Sequence, residues 1–248
     1  MTNPRLHELP HHQALLDGAD WASLATVRGT GESLPAALKG LLSSDPVARS
    51  AATRMALGAV THQNTIYEAT VPVALYVAAV LGHPVAGMAA HRPTLVVLLE
   101  WLSDTAYDAD DACVAIAERC CDEGCRDECC RQMREFRDVR PAVFSGVHPL
   151  LGHDDADVRD AALVAAIPLA EHPVLTLYRT ELVDHARRLL ATSTHRRRRY
   201  RVLDAMKAWG HDTGSLDNAD EAEARGLRAR RMAERHSWTG GYCEDPPF

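Results

Sequence analysis

A unit made of two leucines, a short acidic turn, an arginine and an alanine-rich run constrains this chain more than any other feature. It occurs first in "LLSSDPVARSAATRMALGAV", Leu41–Val60, and again in "PLLGHDDADVRDAALVAAIPLA", Pro149–Ala170. Arg49 matches Arg159, and Ala51 and Ala52 match Ala161 and Ala162. A weaker third copy, "RRLLATSTHRRRRYRVLDAMKAW", aligns on a shift of 39 residues that puts Leu151 on Leu190, Arg159 on Arg198 and Ile167 on Met206. Two helices per unit at a period near forty predict a stack of helix pairs, because one pair cannot bury its own apolar face.

The local signals agree with helices throughout. Asp45 is a natural N-cap, Pro46 fits a first helical position, and the alanines with Met55 and Leu57 supply an apolar face. The preceding "SLPAALKGLL" predicts a shorter antiparallel partner. Further helices are expected over Tyr67–Leu81, Pro93–Asp104, Ala109–Cys121 and Pro141–Leu151. A last one is expected over Ala219–His236, with Asn218 and Glu221 as its capping box. No run shows the period-two alternation of a strand. The expected architecture is therefore all-α, one domain over residues 1–236 with an irregular tail at 237–248.

Composition agrees. Hydrophobic residues make up 46% of the 248, charged residues 25% and aromatics only 5%, with small aliphatic side chains dominant. The net charge of −7 is uneven: His195–His236 carries eleven Arg/Lys against seven Asp/Glu, while residues 1–194 carry sixteen against twenty-five. An acidic body with a basic C-terminal face follows. "VPVALYVAAVLGHPVAGMAA", Val71–Ala90, has no charged residue, but Pro72 and Gly82-His83-Pro84 break it into helix-pair pieces, so a membrane span is not expected. With no apolar leader and seven cysteines, the chain reads as cytoplasmic.

The leucine pair, acidic turn and "DVRDAAL" resemble HEAT repeats. "WASLATVRGTGESLPAAL" together with "THQNTIYEAT" resembles bacterial HEAT-repeat proteins without a settled activity. That resemblance implies a HEAT-like α-solenoid, and it permits a partner-binding or toxin-neutralising role. The same fold occurs in bacterial alkylpurine DNA glycosylases, whose aromatic- and Asp-containing surface makes Trp101 and Asp104 suggestive. An acidic groove there would repel the DNA backbone. HEAT-like deoxyhypusine hydroxylases hold iron through repeated His-Glu pairs, and only His7-Glu8 occurs here.

Six cysteines fall within Cys113–Cys130. Cys121, Cys125 and Cys129 share one helical side and could hold zinc, with Cys113, Cys130, His148 or His153 as a fourth ligand. The favoured reading is that they are small apolar side chains at a helix interface; redox-active thiols come last, since adjacent and i,i+4 cysteines match disulfide geometry poorly. No cofactor is the favoured expectation.

"HQNTIYEAT" places His62, Gln63 and Asn64 at a turn. Thr65 and Glu68 form a capping box expected to start a helix at Ile66, and Tyr67 is a possible aromatic anchor. Capping of the turn alone would explain most of these residues. "EWLSDTAYDADD" gathers Glu100, Asp104, Asp108, Asp110 and Asp111 around Trp101 and Tyr107, an acidic, aromatic-dotted surface suited to a basic partner. "HRRRRYR" is the candidate for nucleic acid, although four consecutive arginines point around all sides of a helix. "RGTGES", Arg28–Ser33, is a glycine turn too short to cradle phosphate, and no nucleophile elbow, zinc-protease or P-loop motif occurs. The expectation is a non-catalytic module that binds another protein, with His62, Gln63, Asn64, Tyr67, Trp101, Asp104, Tyr107 and Asp108 as its contact residues.

Overall fold

The computed structural model describes residues 9–86, 88–110, 113–115 and 123–216, together with 218, 223, 226–227 and 230; of 123–130 it describes the backbone. The tail at 237–248 and Glu221 of the expected capping box lie outside the described residues. So does most of the helix expected over Ala219–His236, of which Glu223, Gly226, Leu227 and Arg230 are helical. Of Ala109–Cys121, Cys113, Val114 and Ala115 are helical.

Among the described residues the chain is all-α apart from one small hairpin. Helix α1 is His12–Gly18, capped by His11, whose Nδ1 accepts from Gln13 N at 3.3 Å. Strands β1 (Ala25–Thr26) and β2 (Gly29–Thr30) pair antiparallel around a turn in which Gly29 takes φ 125°, a conformation that favours glycine. Then come α2 (Leu34–Gly40), α3 (Pro46–Gly58), α4 (Thr70–Leu81) and α5 (Arg92–Asp108). They are followed by α6 (Glu123–Val147), α7 (Ala156–Leu169), α8 (Arg179–Thr192) and α9 (Arg196–Ala208).

Helices α3, α5, α7 and α9 form one stack, each touching the next, with the broadest contact between α5 and α7. On one side α4 packs against α6, and α8 against α7 and α9. Small side chains make this possible. Ala161, Ala162, Ala165 and Ala166 of α7 are buried, and a methyl group at Gly146 of α6 would land on the carbonyl oxygen of Ala78 in α4. The core between the layers is built from Leu95, Leu98, Leu99 and Leu102 of α5 with Phe136, Val143, Phe144 and Val147 of α6. Burying each such side chain contributes about 1.5–3 kcal/mol.

The repeated unit has a structural meaning. Asp45 Oδ1 accepts from Val47 N at 2.9 Å, Asp155 Oδ1 from Asp157 N at 3.0 Å, and His195 Nδ1 from Arg198 N at 3.4 Å. Four residues after each cap stands an arginine that donates Nη1 to the carbonyl six residues before it. Arg49 reaches Ser43 O at 2.7 Å, Arg159 reaches His153 O at 2.7 Å, and Arg199 reaches Ser193 O at 3.2 Å. The third copy therefore aligns on a shift of forty, with Arg199 and not Arg198 in the repeat position. Sequence identity alone could not select among four adjacent arginines; the distance from the cap does.

Two helix starts differ from expectation. Helix α4 begins at Thr70, not Ile66 or Tyr67, because Glu68 is used elsewhere: its Oε2 accepts from Ala25 N at 3.0 Å and its Oε1 from Arg131 Nη2 at 3.1 Å. Thr70 supplies the local bond instead, Oγ1 accepting from Tyr67 N at 2.9 Å. Pro141 does not start a helix but lies inside α6, and the residues that follow, His148–Gly152, form a 3-10 turn. A proline inside a helix removes one hydrogen bond. The apolar stripe nonetheless runs across it, from Phe136 to Val143, Phe144 and Val147, and holds the helix together. Among the described residues no helix is long and apolar enough to cross a membrane.

Candidate functional site

The exposed face of the α3–α5–α7–α9 stack carries most of the polar chemistry. On α5, Val97, Glu100, Asp104 and Asp108 follow one another at helical spacing on the side opposite the leucines. Here the acidic segment and the arginine run, which read as separate features in sequence, meet. Asp104 Oδ1 accepts from Arg197 Nη2 at 2.8 Å and Arg201 Nη2 at 2.7 Å. Arg198, almost fully buried, donates Nη2 to Glu100 Oε1 at 2.9 Å and Nη1 to Asp157 Oδ1 at 3.0 Å, joining α5, α7 and α9. Arg201 also donates to Ser103 Oγ at 2.8 Å, and its guanidinium stacks 4.4 Å from the Tyr107 ring centre.

One end of this lattice stays negative. Burial first, then the charge of Asp104, push the Asp108 carboxyl up to about 6; Arg201 pulls the other way, and Asp110 and Arg197 oppose each other with smaller effects. Burial also raises the Tyr107 hydroxyl. The carbonyl end of α5 adds a partial negative charge. Arg140, buried in α6, answers part of it by donating Nη2 to Ala106 O at 3.1 Å and Ala109 O at 3.0 Å.

The turn at His62–Thr65 sits beside this face. His62, Gln63 and Asn64 are exposed, and Gln63 and Asn64 take φ 48° and 61°, the left-handed pair of a tight reversal closed by Thr65 N donating to His62 O at 3.0 Å. Trp101 ties it to α5: the indole is 7% exposed and Nε1 donates to Thr61 Oγ1 at 2.9 Å. Trp101 therefore positions the turn from beneath instead of presenting an aromatic surface. Tyr67 is half-buried. Of the expected contact residues, Asp104, Tyr107 and Asp108 share one stretch of α5, and the turn is anchored to that helix by Trp101.

The zinc candidate Cys121 and the side chains of Cys125, Cys129 and Cys130 lie outside the described residues. Cys113 is half-buried, its thiol pushed up to about 11 by burial and then by Asp110. His148 Nε2 faces Glu181 at 3.1 Å, and His153 Nδ1 accepts from Asp155 N at 3.0 Å. Among the described residues, no group of three or more His, Cys, Asp or Glu is placed to hold a metal.

A second surface feature was not legible beforehand. Two open concavities of about 380 and 250 Å³ lie side by side over α3 and share Arg54. The larger is lined by the hairpin through Thr26, Arg28 and Thr30, with Met55 opposite; the smaller lies between α3 and the start of α5, with Pro93 and Val97. Met55, expected on the apolar face of α3, is 60% exposed and lines this concavity instead, and nothing local in the sequence brings Arg28 to it. Comparison of the chain with protein-family models, with curated proteins and with solved structures gives no match.

Proposed function

We propose that this chain is a HEAT-like α-solenoid that acts without catalysis, binding another protein with a basic surface through the exposed stripe of α5 and the turn at His62–Tyr67. The stack of α3, α5, α7 and α9 and the recurring cap-and-arginine turn support the repeat reading. The observation that carries the binding reading is the surplus negative charge at the end of α5. Arg197 and Arg201 are both taken up by Asp104, while Asp108 and Asp110 beyond it have no ion-pair partner among the described residues. A lysine or arginine from a partner would pair with these carboxylates, and the half-buried Tyr107 beside them offers contact area. Gln63 and Asn64, exposed and in left-handed conformations, add a rigid polar edge. Scaffolding and toxin neutralisation would both use such a face.

The test is affinity capture with the tagged chain from the cells that express it, in nuclease-treated and untreated halves, beside Asp108→Lys and Tyr107→Ala. The expected result is one nuclease-resistant protein partner, lost with Asp108→Lys and weakened with Tyr107→Ala. Recovery of nucleic acid alone, or a partner indifferent to both changes, overturns the proposal.

A further inference from the structure

The groove over α3 carries a charge opposite to the net charge of the molecule. Arg28 and Arg54 line it, both are exposed, and neither guanidinium has an ion-pair partner among the described residues. In a chain of net charge −7, where Arg92, Arg131, Arg197, Arg198 and Arg201 each stand on a carboxylate, Arg28 and Arg54 bring two unpaired cations to one concavity. Of the apolar side chains in the lining, Met55 is 60% exposed and Val97 45%, and Val47, two helical turns before Arg54 on the same side of α3, is 76% exposed. Large aliphatic side chains left in water beside unpaired charge, along a groove that continues from one concavity to the next, mark a protein-contact surface more than a small-ion site.

We infer that this groove docks an acidic-aliphatic segment of another protein, carboxylates meeting Arg28 and Arg54 and aliphatic side chains covering Val47, Met55 and Val97. Charge complementarity selects that occupant. A basic segment would face two like charges, and a purely apolar one would bury two guanidinium groups without partners. The groove meets the α5 stripe at Val97, but its two cations stand on the hairpin turn and α3 while the carboxylates stand on α5, so the two together would let one chain hold two partners of opposite charge.

The experiment uses the full chain and two fluorescein-labelled peptides of alternating Leu and Glu pairs or Leu and Lys pairs, read by anisotropy at low and moderate salt. The Glu peptide is expected to bind, with affinity falling several-fold when salt rises from about 50 to about 300 mM. The double variant Arg28→Glu, Arg54→Glu should lose about tenfold or more. Both sites are exposed, so the variant should keep the wild-type thermal melt. Met55→Ser, which leaves the charges intact, should lower affinity less but measurably. Failure of the Glu peptide to bind, equal binding by the double variant, or preference for the Lys peptide overturns the inference. So does complete displacement by inorganic phosphate with no effect of Met55→Ser, which would make the groove an anion site only.

Discussion

Arg197, Arg198 and Arg201 stand on α9 with carboxylates of α5 and α7 at 2.7–3.0 Å, whereas Arg28 and Arg54 line an open groove with no ion-pair partner among the described residues. In the sequence the contrast runs the other way: "HRRRRYR" is the conspicuous basic feature, and Arg28 and Arg54 are two scattered residues in an acidic body. A run of like charges need not be a charged surface. When neighbouring helices bring carboxylates to it, the run becomes a structural joint, and the net field moves to wherever cations were left unmatched.

The strongest way to break this comparison is within the run itself. Arg199 is 5% exposed and donates to the carbonyls of Leu190, Ser193 and Leu216. Arg199→Ala leaves those acceptors buried, so urea unfolding should show a loss of about 3–5 kcal/mol. A loss near zero would mean that the arginines are a solvated face after all.

Asp108 sharpens the comparison through pH. Its folded carboxyl titrates near 6, above the ordinary 3.8, so its contribution to stability is present below 3.8 and lost as pH rises through 6. Asp108→Asn should therefore raise Tm by about 2 °C at pH near 8, a gain that fades as pH falls through 6. The background slopes the other way. His12, His91 and His185 are held below 6.5 chiefly by burial, so folding is stabilised above 6.5 and weakened as pH falls below it. The difference between variant and parent isolates Asp108.

A smaller effect is expected at Arg197, 61% exposed in its pair with Asp104. Arg197→Ala should cost about 0.5 kcal/mol and less at high salt. Smallest of all, Arg54→Ala should change stability by less than about 0.5 kcal/mol, while still weakening capture of the acidic peptide. A large destabilisation there would show that Arg54 is structural.

How much was legible depended on the range of each interaction. The Asp45 cap with Pro46, and the acidic turn before α7, are settled within a few residues, and both stand where the sequence places them. Glu68 looked like half of a capping box, but its partners are 43 and 63 residues away. Trp101 looked like an aromatic anchor on the surface; it is a buried strut, because Thr61 forty residues earlier accepts its N–H. The Asp104–Arg201 joint spans both halves of the chain. Its only trace beforehand is that Arg197 and Arg201 lie four apart and so share a face.

The sequence by itself determined that the chain is helical and where its first two repeated units cap, since caps and alanine-rich faces act through neighbouring residues. Tertiary structure alone decided which charges are spent and which remain. Pairing depends on which helices stack, and that follows from apolar burial across the whole chain, not from any single segment.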